Sequence, residues 1–282
     1  MIDNRPTVWA EKSPDCRLFS IIFHQKEVIH LISGRIHSIE SMGLVDGPGI
    51  RSVIFLQGCR LRCRYCHNPD TWDPNGGSLC TAEVLMQKLK RFKPYYGSKG
   101  GVTFSGGEPL LQSGFLLELL KLCRSEGISA CLDTAGCGAG NYEEILKYTD
   151  LVIFDVKHFT AKGYERVTGQ SPDEAAVFLD AVQKSGTPMW IRHVAVPGLT
   201  DGDSHFEGRR QFLKTLRGVE RVELLPYHVL GVPKYRELGI PYPLEDVPPM
   251  KPEITAQWQQ LMNRGCCPAR QNNKWRIHYA CQ

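Results

Sequence analysis

Short apolar runs alternate with amphipathic stretches through the middle of this chain. The runs are 51–57 (RSVIFLQ), 101–105 (GVTFS), 128–133 (ISACLD), 151–156 (LVIFDV), 188–196 (PMWIRHVAV) and 221–225 (RVELL). Near-continuous apolar runs rich in β-branched residues are the pattern of strands buried on both faces of a parallel sheet. Helical periodicity falls between them, around 81–92, 112–126, 142–148, 173–185 and 206–217. Thr81 with Glu83 and Val84 reads as one helix start, and Ser171-Pro172-Asp173-Glu174 as another, with acids in its first turn. Six such units predict an α/β fold, a partial (β/α)6 TIM-like barrel over residues 34–265. Residues 226–251 are rich in proline and read as an irregular closing segment, with a last helix over about 252–263. Residues 1–33 carry no motif and are expected to form an N-terminal extension, loosely packed or disordered, with no assigned function. Residues 266–282 form a basic C-terminal tail, in which the adjacent Cys266 and Cys267 are expected to be structural or incidental.

A parallel barrel builds its site at the C-terminal strand ends, and the chemically interesting residues fall there. Cys59, Cys63 and Cys66 follow the first run and Gly106-Gly107-Glu108 the second. Asp133 ends the third, Asp155 and Lys157 the fourth, Arg192 lies on the fifth, and His228 follows the sixth. The cysteines are spaced C-x3-C-x2-C, with no fourth close by. Thiolates suit zinc, copper(I) and iron–sulfur clusters, and a closed structural site uses four protein ligands. Three close cysteines therefore suggest a cubane held at three corners, its fourth iron open to a ligand that is not protein. The competing reading is a zinc knuckle completed by His67. Glycines at 106 and 107 allow close backbone approach, and Glu108 can accept from an ammonium group; alone, the same text is a turn. Asp133 and Asp155 at one mouth repel unless a cation joins them, although each could be a solvated strand end. Asp46 lies in an Asp-Gly-Pro-Gly sequence that forms a turn in any case.

C-x3-C-x-aromatic-C resembles the signature of the radical S-adenosylmethionine enzymes. The flanking VDGPGIR (45–51), FLQGC (55–59) and CHNPDTW (66–72) resemble the glycyl-radical-enzyme activases, most closely those that act on pyruvate formate-lyase. The resemblance runs from about Gly34 to about Asn263 and implies a radical SAM partial barrel. It implies a [4Fe-4S] cluster on Cys59, Cys63 and Cys66, with S-adenosylmethionine chelating the open iron and cleaved reductively. Hydrogen is then abstracted from a glycine Cα of pyruvate formate-lyase. By the same resemblance Gly106, Gly107 and Glu108 meet the methionine amine. Asp133 and Asp155, with the Ile153 carbonyl, hold a monovalent cation, sodium or potassium. Lys157 and Arg192 supply positive charge to carboxylate or ribose, His228 lies near the methionine or ribose, and Tyr65 and His67 lie by the adenine. Asp46 and Lys157 are the candidate catalytic residues, Asp46 facing the reacting centre or the protein substrate. The cluster requires a low-potential donor, flavodoxin or ferredoxin.

Composition narrows the setting. The formal charge of +4 and pI near 8.4 are only mildly basic and the positive residues are dispersed, apart from Arg60, Arg62 and Arg64, so nucleic acid is not implied. No apolar run reaches the length of a membrane span, and the first 33 residues lack the pattern of a signal peptide. Eleven cysteines are an odd number unlike a disulfide framework, which places the protein in a reducing cytoplasm; a monomer is expected, although nothing in the chain itself fixes the oligomeric state. The 34 residues from His67 to Gly100 hold only Cys80, leaving no room for an inserted ferredoxin-like segment. The alternatives are an activase of another glycyl radical enzyme, such as a glycerol dehydratase or related lyase, an electron-carrier module, or a zinc-stapled interaction protein.

Overall fold

The computed structural model describes residues 32–265. The expectations for residues 1–31 and 266–282 lie outside them. The strands are β1 (Ser33–Gly43), β2 (Arg51–Leu56), β3 (Ser78–Thr81), β4 (Gly101–Gly106), β5 (Ser129–Thr134), β6 (Leu151–Asp155), β7 (Met189–Ala195) and β8 (Val219–Pro226). The helices are α1 (Ala82–Lys90), α2 (Lys93–Tyr96), α3 (Ser113–Ser125), α4 (Tyr142–Lys147), α5 (Ala161–Thr168), α6 (Asp173–Ser185), α7 (Asp203–Lys214), α8 (Val232–Glu237) and α9 (Pro252–Gly265). One sheet runs β3-β1-β2-β4-β5-β6-β7-β8. Its six strands from β2 to β8 are mutually parallel, as in an incomplete (β/α) barrel.

All six expected strands form, within a few residues of their expected limits. Two further strands, β1 and β3, pair antiparallel at the edge before β2. β1 hides its alternation because its register with β2 shifts twice, between Ile36 and Ser38 and between Glu40 and Gly43, so no strict period-2 stretch survives. α5 was not expected, since Gly163 interrupts it; Thr160 nevertheless caps it by accepting from the Gly163 N–H at 3.2 Å. The proline-rich closing segment contains the six-residue α8, which starts on Val232 with Pro233 at its second position. Helix α7 begins at Asp203 and stops at Lys214, a few residues earlier than its periodicity suggested.

Period-2 alternation sorts the strand residues into two layers. Val102, Phe104, Leu132, Val152, Phe154, Ile191, Val222 and Leu224 pack outward with Leu116, Leu119 and Phe178 of the helices in the main core. Each fully buried Leu or Phe there contributes about 1.5–3 kcal/mol relative to exposure. The inner layer has only a small apolar floor, Cys131, Leu151, Ile153 and Trp190. Below it Arg51 is wholly buried. Its guanidinium donates to Thr103 Oγ1 at 2.7 Å and to the carbonyls of Pro48, Val102 and Ser129 at 3.1, 2.7 and 3.0 Å. The arginine thus ties the Asp-Gly-Pro-Gly turn to the starts of β4 and β5. Above the floor the inward positions turn polar: Ser105, Asp133, Asp155, Arg192 and Glu223.

Candidate functional site

A cavity of about 240 Å³ opens at the C-terminal ends of the parallel strands. Cys59, Cys63 and Cys66 line it together with Tyr65, His67, Gly106, Gly107, Asp133, Asp155, Lys157 and Arg192. Eleven expected residues, spread over more than a hundred positions of the chain, therefore meet around it, along with others not singled out beforehand, among them Trp72 and Ser105.

The cysteine loop is held from both sides. Gly58 N donates to Thr71 O at 2.8 Å, Arg62 N to Thr168 O at 2.8 Å and Arg64 N to Val167 O at 3.0 Å. Burial pushes all three thiols upward, Cys63 to about 11. They become thiolates only against strong positive charge, such as the irons of a cluster. Among the described residues no three His, Cys, Asp or Glu side chains converge on a single-ion site. The His67 ring is engaged elsewhere, stacked on His228 at 4.0 Å with its Nε2 3.0 Å from the His228 carbonyl. That geometry disfavours the zinc knuckle and leaves three separate soft ligands, which suits three corners of one cluster. Cys80, Cys123, Cys131 and Cys137 do not line the cavity.

The glycines are required by space. A Cβ on Gly106, whose φ is +118°, would lie 2.3 Å from Leu56 N, and one on Gly107 would lie 2.2 Å from Gly58 O. Glu108 departs from expectation. It is 1 % exposed and does not line the cavity. Its carboxylate accepts from Leu110 N at 3.1 Å, Thr134 Oγ1 at 2.5 Å, Ala135 N at 3.0 Å and Cys137 N at 3.4 Å. Burial raises its carboxyl to about 7, against the pull of those donors. Four donors on two oxygens leave no free lone pair aimed at an ammonium group, so Glu108 shapes the loop after β5 instead. Any contact of this motif with an amine falls to the backbone of Gly106 and Gly107.

Each acid of the pair has its own cationic partner. Lys157 Nζ sits 2.5 Å from Asp155 Oδ2. Burial works against its charge, but Asp155, Cys63 and Tyr65 outweigh that and hold it well above the ordinary lysine range. Asp133 Oδ2 accepts from Ser105 Oγ at 2.9 Å and meets Arg192 Nη1 at 3.5 Å. Burial nonetheless raises its carboxyl. Asp155 Oδ1, the Tyr65 hydroxyl and His228 Nδ1 are buried without any partner. Unpaired buried polar atoms at a cavity cost free energy unless a ligand satisfies them, so the residues fit a polar cofactor and a cation. His228 itself stands behind His67 rather than in the lining. Burial and the neighbouring His228 lower His67 to about 4, leaving a neutral ring suited to stacking.

Arg192 reaches further than expected. Its Nε donates to Glu223 Oε2 at 2.8 Å, Nη1 lies 3.6 Å from Asp46 Oδ1, and Nη2 donates to the Val45 carbonyl. Asp46 is thereby anchored beside the cavity without lining it. Ser105 and Glu223 were missed in the sequence. The available signal was a polar residue at an inward position of an otherwise apolar parallel strand, the same signal that identifies Arg192.

Residues 45–170 match the 4Fe-4S single cluster domain family. Over 224 residues the chain is 57% identical to the pyruvate formate-lyase-activating enzyme of Clostridium pasteurianum, covering 79% of this chain and 94% of the relative. The corresponding enzyme of Streptococcus mutans is 44% identical over 241 residues, 82% of this chain and 92% of the relative. Among solved structures, a radical SAM methyltransferase from Sphaerobacter thermophilus superposes with a TM-score of 0.55 at 14% identity, over 78% of this chain and 65% of that one. Streptococcus suis SuiB bound to its precursor peptide gives 0.51 at 17% identity, over 62% and 39%. These two likenesses concern the fold alone.

Proposed function

The chain belongs to the family of pyruvate formate-lyase-activating enzymes, and on that premise we propose that it removes a hydrogen from a glycine Cα of pyruvate formate-lyase to leave a glycyl radical. The observation that carries this reading is the meeting of Cys59, Cys63 and Cys66 with Asp133, Asp155, Lys157 and Arg192 around one cavity. When bound, the [4Fe-4S] cluster and S-adenosylmethionine supply a one-electron reductive cleavage whose product takes the hydrogen atom.

The protein's own groups bind, orient and exclude water. Cys59, Cys63 and Cys66 would hold the cluster, and with only three protein thiolates it would keep a position for the cofactor. Lys157 and Arg192, both kept charged by buried acids, offer cations to a carboxylate or ribose hydroxyls. Tyr65 and the neutral His67 offer faces to an adenine. We read Asp155 Oδ1, which has no partner, as one ligand of a sodium or potassium ion shared with Asp133 and the Ile153 carbonyl, since carboxylate and carbonyl oxygens suit hard cations. Asp46 and the half of Arg192 that faces it lie toward the exposed Leu44 and Val45, on the side from which a glycine loop would enter.

A flavodoxin or ferredoxin as reductant, a cytoplasmic location and a monomeric state complete the reading. Among the described residues no helix is long and apolar enough to cross a membrane. The test is electron paramagnetic resonance after mixing anaerobic protein, S-adenosylmethionine and reduced flavodoxin with candidate partners. A glycyl doublet in pyruvate formate-lyase is expected; a doublet confined to another glycyl radical enzyme overturns the partner, and none at all overturns the activity.

A further inference from the structure

Arg192 is an arginine with four claims on it, and three of them come from residues that do not line the cavity. Parallel pairing puts Arg192 of β7 directly beside Glu223 of β8, and both side chains point inward. Glu223 Oε2 accepts from Arg192 Nε at 2.8 Å, while its Oε1 accepts from Arg221 Nη2 at 2.7 Å. Arg221 in turn lies over the Trp190 ring at 4.7 Å. The Glu223 side chain is 14% exposed and that of Arg192 11%, so neither is freely solvated.

The two remaining edges of the guanidinium face different things. Nη1 is nearly equidistant from Asp133 Oδ2 and Asp46 Oδ1, at 3.5 and 3.6 Å. Nη2 donates to the Val45 carbonyl of the turn that carries Asp46. A guanidinium is planar, so fixing its Nε edge fixes the direction of both Nη groups. With that edge released, three attractive acceptors on two sides would compete for a long side chain that has several rotamers.

We propose that Glu223 is a positioning residue for the cofactor: by holding the Nε edge of Arg192 it keeps the Nη groups directed at once to the cofactor pocket and to the Val45–Asp46 turn. This rests on the reading of Arg192 as a cofactor contact. Arg221 serves as the second anchor, keeping Glu223 from swinging toward the cavity. The role is carried by the oxygen that accepts from Arg192, so glutamine, which keeps one accepting oxygen, can still hold that edge while giving up the bond from Arg221; alanine holds neither. A consequence is that cofactor and turn share one anchor, so disturbing Glu223 disturbs both.

The experiment measures the S-adenosylmethionine Kd by equilibrium dialysis on anaerobically reconstituted protein, with cluster absorbance and thermal melting recorded alongside. The proteins are the wild type, Glu223→Gln, Glu223→Ala, Arg192→Ala and the Arg192→Ala/Glu223→Ala double variant. Glu223→Ala is expected to weaken binding about tenfold, the worth of one charge-assisted hydrogen bond, with cluster absorbance unchanged. Glu223→Gln is expected to stay within about threefold of wild type. In the Arg192→Ala background Glu223→Ala should add nothing, because a residue that acts only through Arg192 has no further effect without it. Unchanged affinity in Glu223→Ala overturns the proposal, as does an equal further loss in the double variant, which would mark general structural damage. If wild-type protein with a full cluster fails to bind S-adenosylmethionine at all, the cofactor reading falls first and this inference with it.

Discussion

Replacing Gly107 with alanine tests whether the second strand end sets the position of the cysteine loop. The added Cβ would lie 2.2 Å from Gly58 O, 2.7 Å from Gly58 C and 3.1 Å from Cys59 Cβ, where ordinary contact begins at 3.4 Å. The obstacle is backbone, not the mobile end of a side chain, so the Gly58–Cys59 segment must retreat by about 1 Å, the gap between 2.2 and 3.4 Å. That retreat breaks the bond from Glu108 N to Gly58 O, now 2.9 Å, at about 0.5–1.5 kcal/mol. Overpacking adds about 1–3 kcal/mol. The total, about 2–4 kcal/mol, lowers Tm by roughly 5–15 °C in a domain of this size. The functional effect is sharper, because metal–ligand distances tolerate only about 0.2 Å and Cys59 moves with Gly58. Anaerobic reconstitution followed by iron and sulfide analysis should find a variant that takes up less cluster than the wild type, because one corner no longer fits. Gly114→Ala is the control: it lies in the first turn of α3 with nothing within 4 Å of its added Cβ, and should be neutral or stabilising by up to about 1 kcal/mol. A Gly107→Ala protein with full cluster content and a wild-type Tm would refute the argument.

Single alanine substitutions at Cys59, Cys63 and Cys66 should each abolish the four-iron spectrum, whereas Cys80→Ser and Cys131→Ser should keep it, as anaerobic absorbance will show. Asp133→Ala and Asp155→Ala should weaken S-adenosylmethionine binding and remove its dependence on sodium or potassium while leaving the cluster spectrum intact; indifference of the wild type to monovalent cations would exclude a bound ion. Arg51→Ala should destabilise by about 3–5 kcal/mol in urea melts, since it opens a cavity and strands buried carbonyl acceptors. Glu108 gives a pH signature. Its folded carboxyl is raised from 4.5 to about 7, so the folded state binds the proton more tightly and stability falls as pH rises across that window. Glu108→Gln should flatten the fall, measured as the difference in urea midpoint between its two ends.

The main strands and helices could be read from the sequence because each is a local pattern. Apolar runs of four to eight residues, bounded by glycine and alternating with 3.6-residue periodicity, carry their own signature. The strands that escaped lacked one: β1 is broken by two register shifts, and β3 has only four residues. For α8 the proline-rich composition hid a helix that carries Pro233 in its first turn.

At the site, the cysteine spacing, the paired glycines and the charged strand ends were legible because residue type and position within a β–α unit suffice to place a side chain at the barrel mouth. What the chain alone could not decide is where each polar group spends its hydrogen bonds. Glu108 reads as a free carboxylate beside two glycines, yet the loop after β5 folds onto it with four donors. Arg51 opens the first apolar run and drew no role from the sequence, yet it is sealed beneath the barrel floor. Glu223, between apolar residues, was not singled out in the sequence, and only the pairing of β7 with β8 brings it to Arg192. Sequence fixes which residues reach the barrel mouth, since that follows from local periodicity. Partner choice among them is decided by strand order and register, which join residues tens of positions apart and leave no trace in either segment by itself.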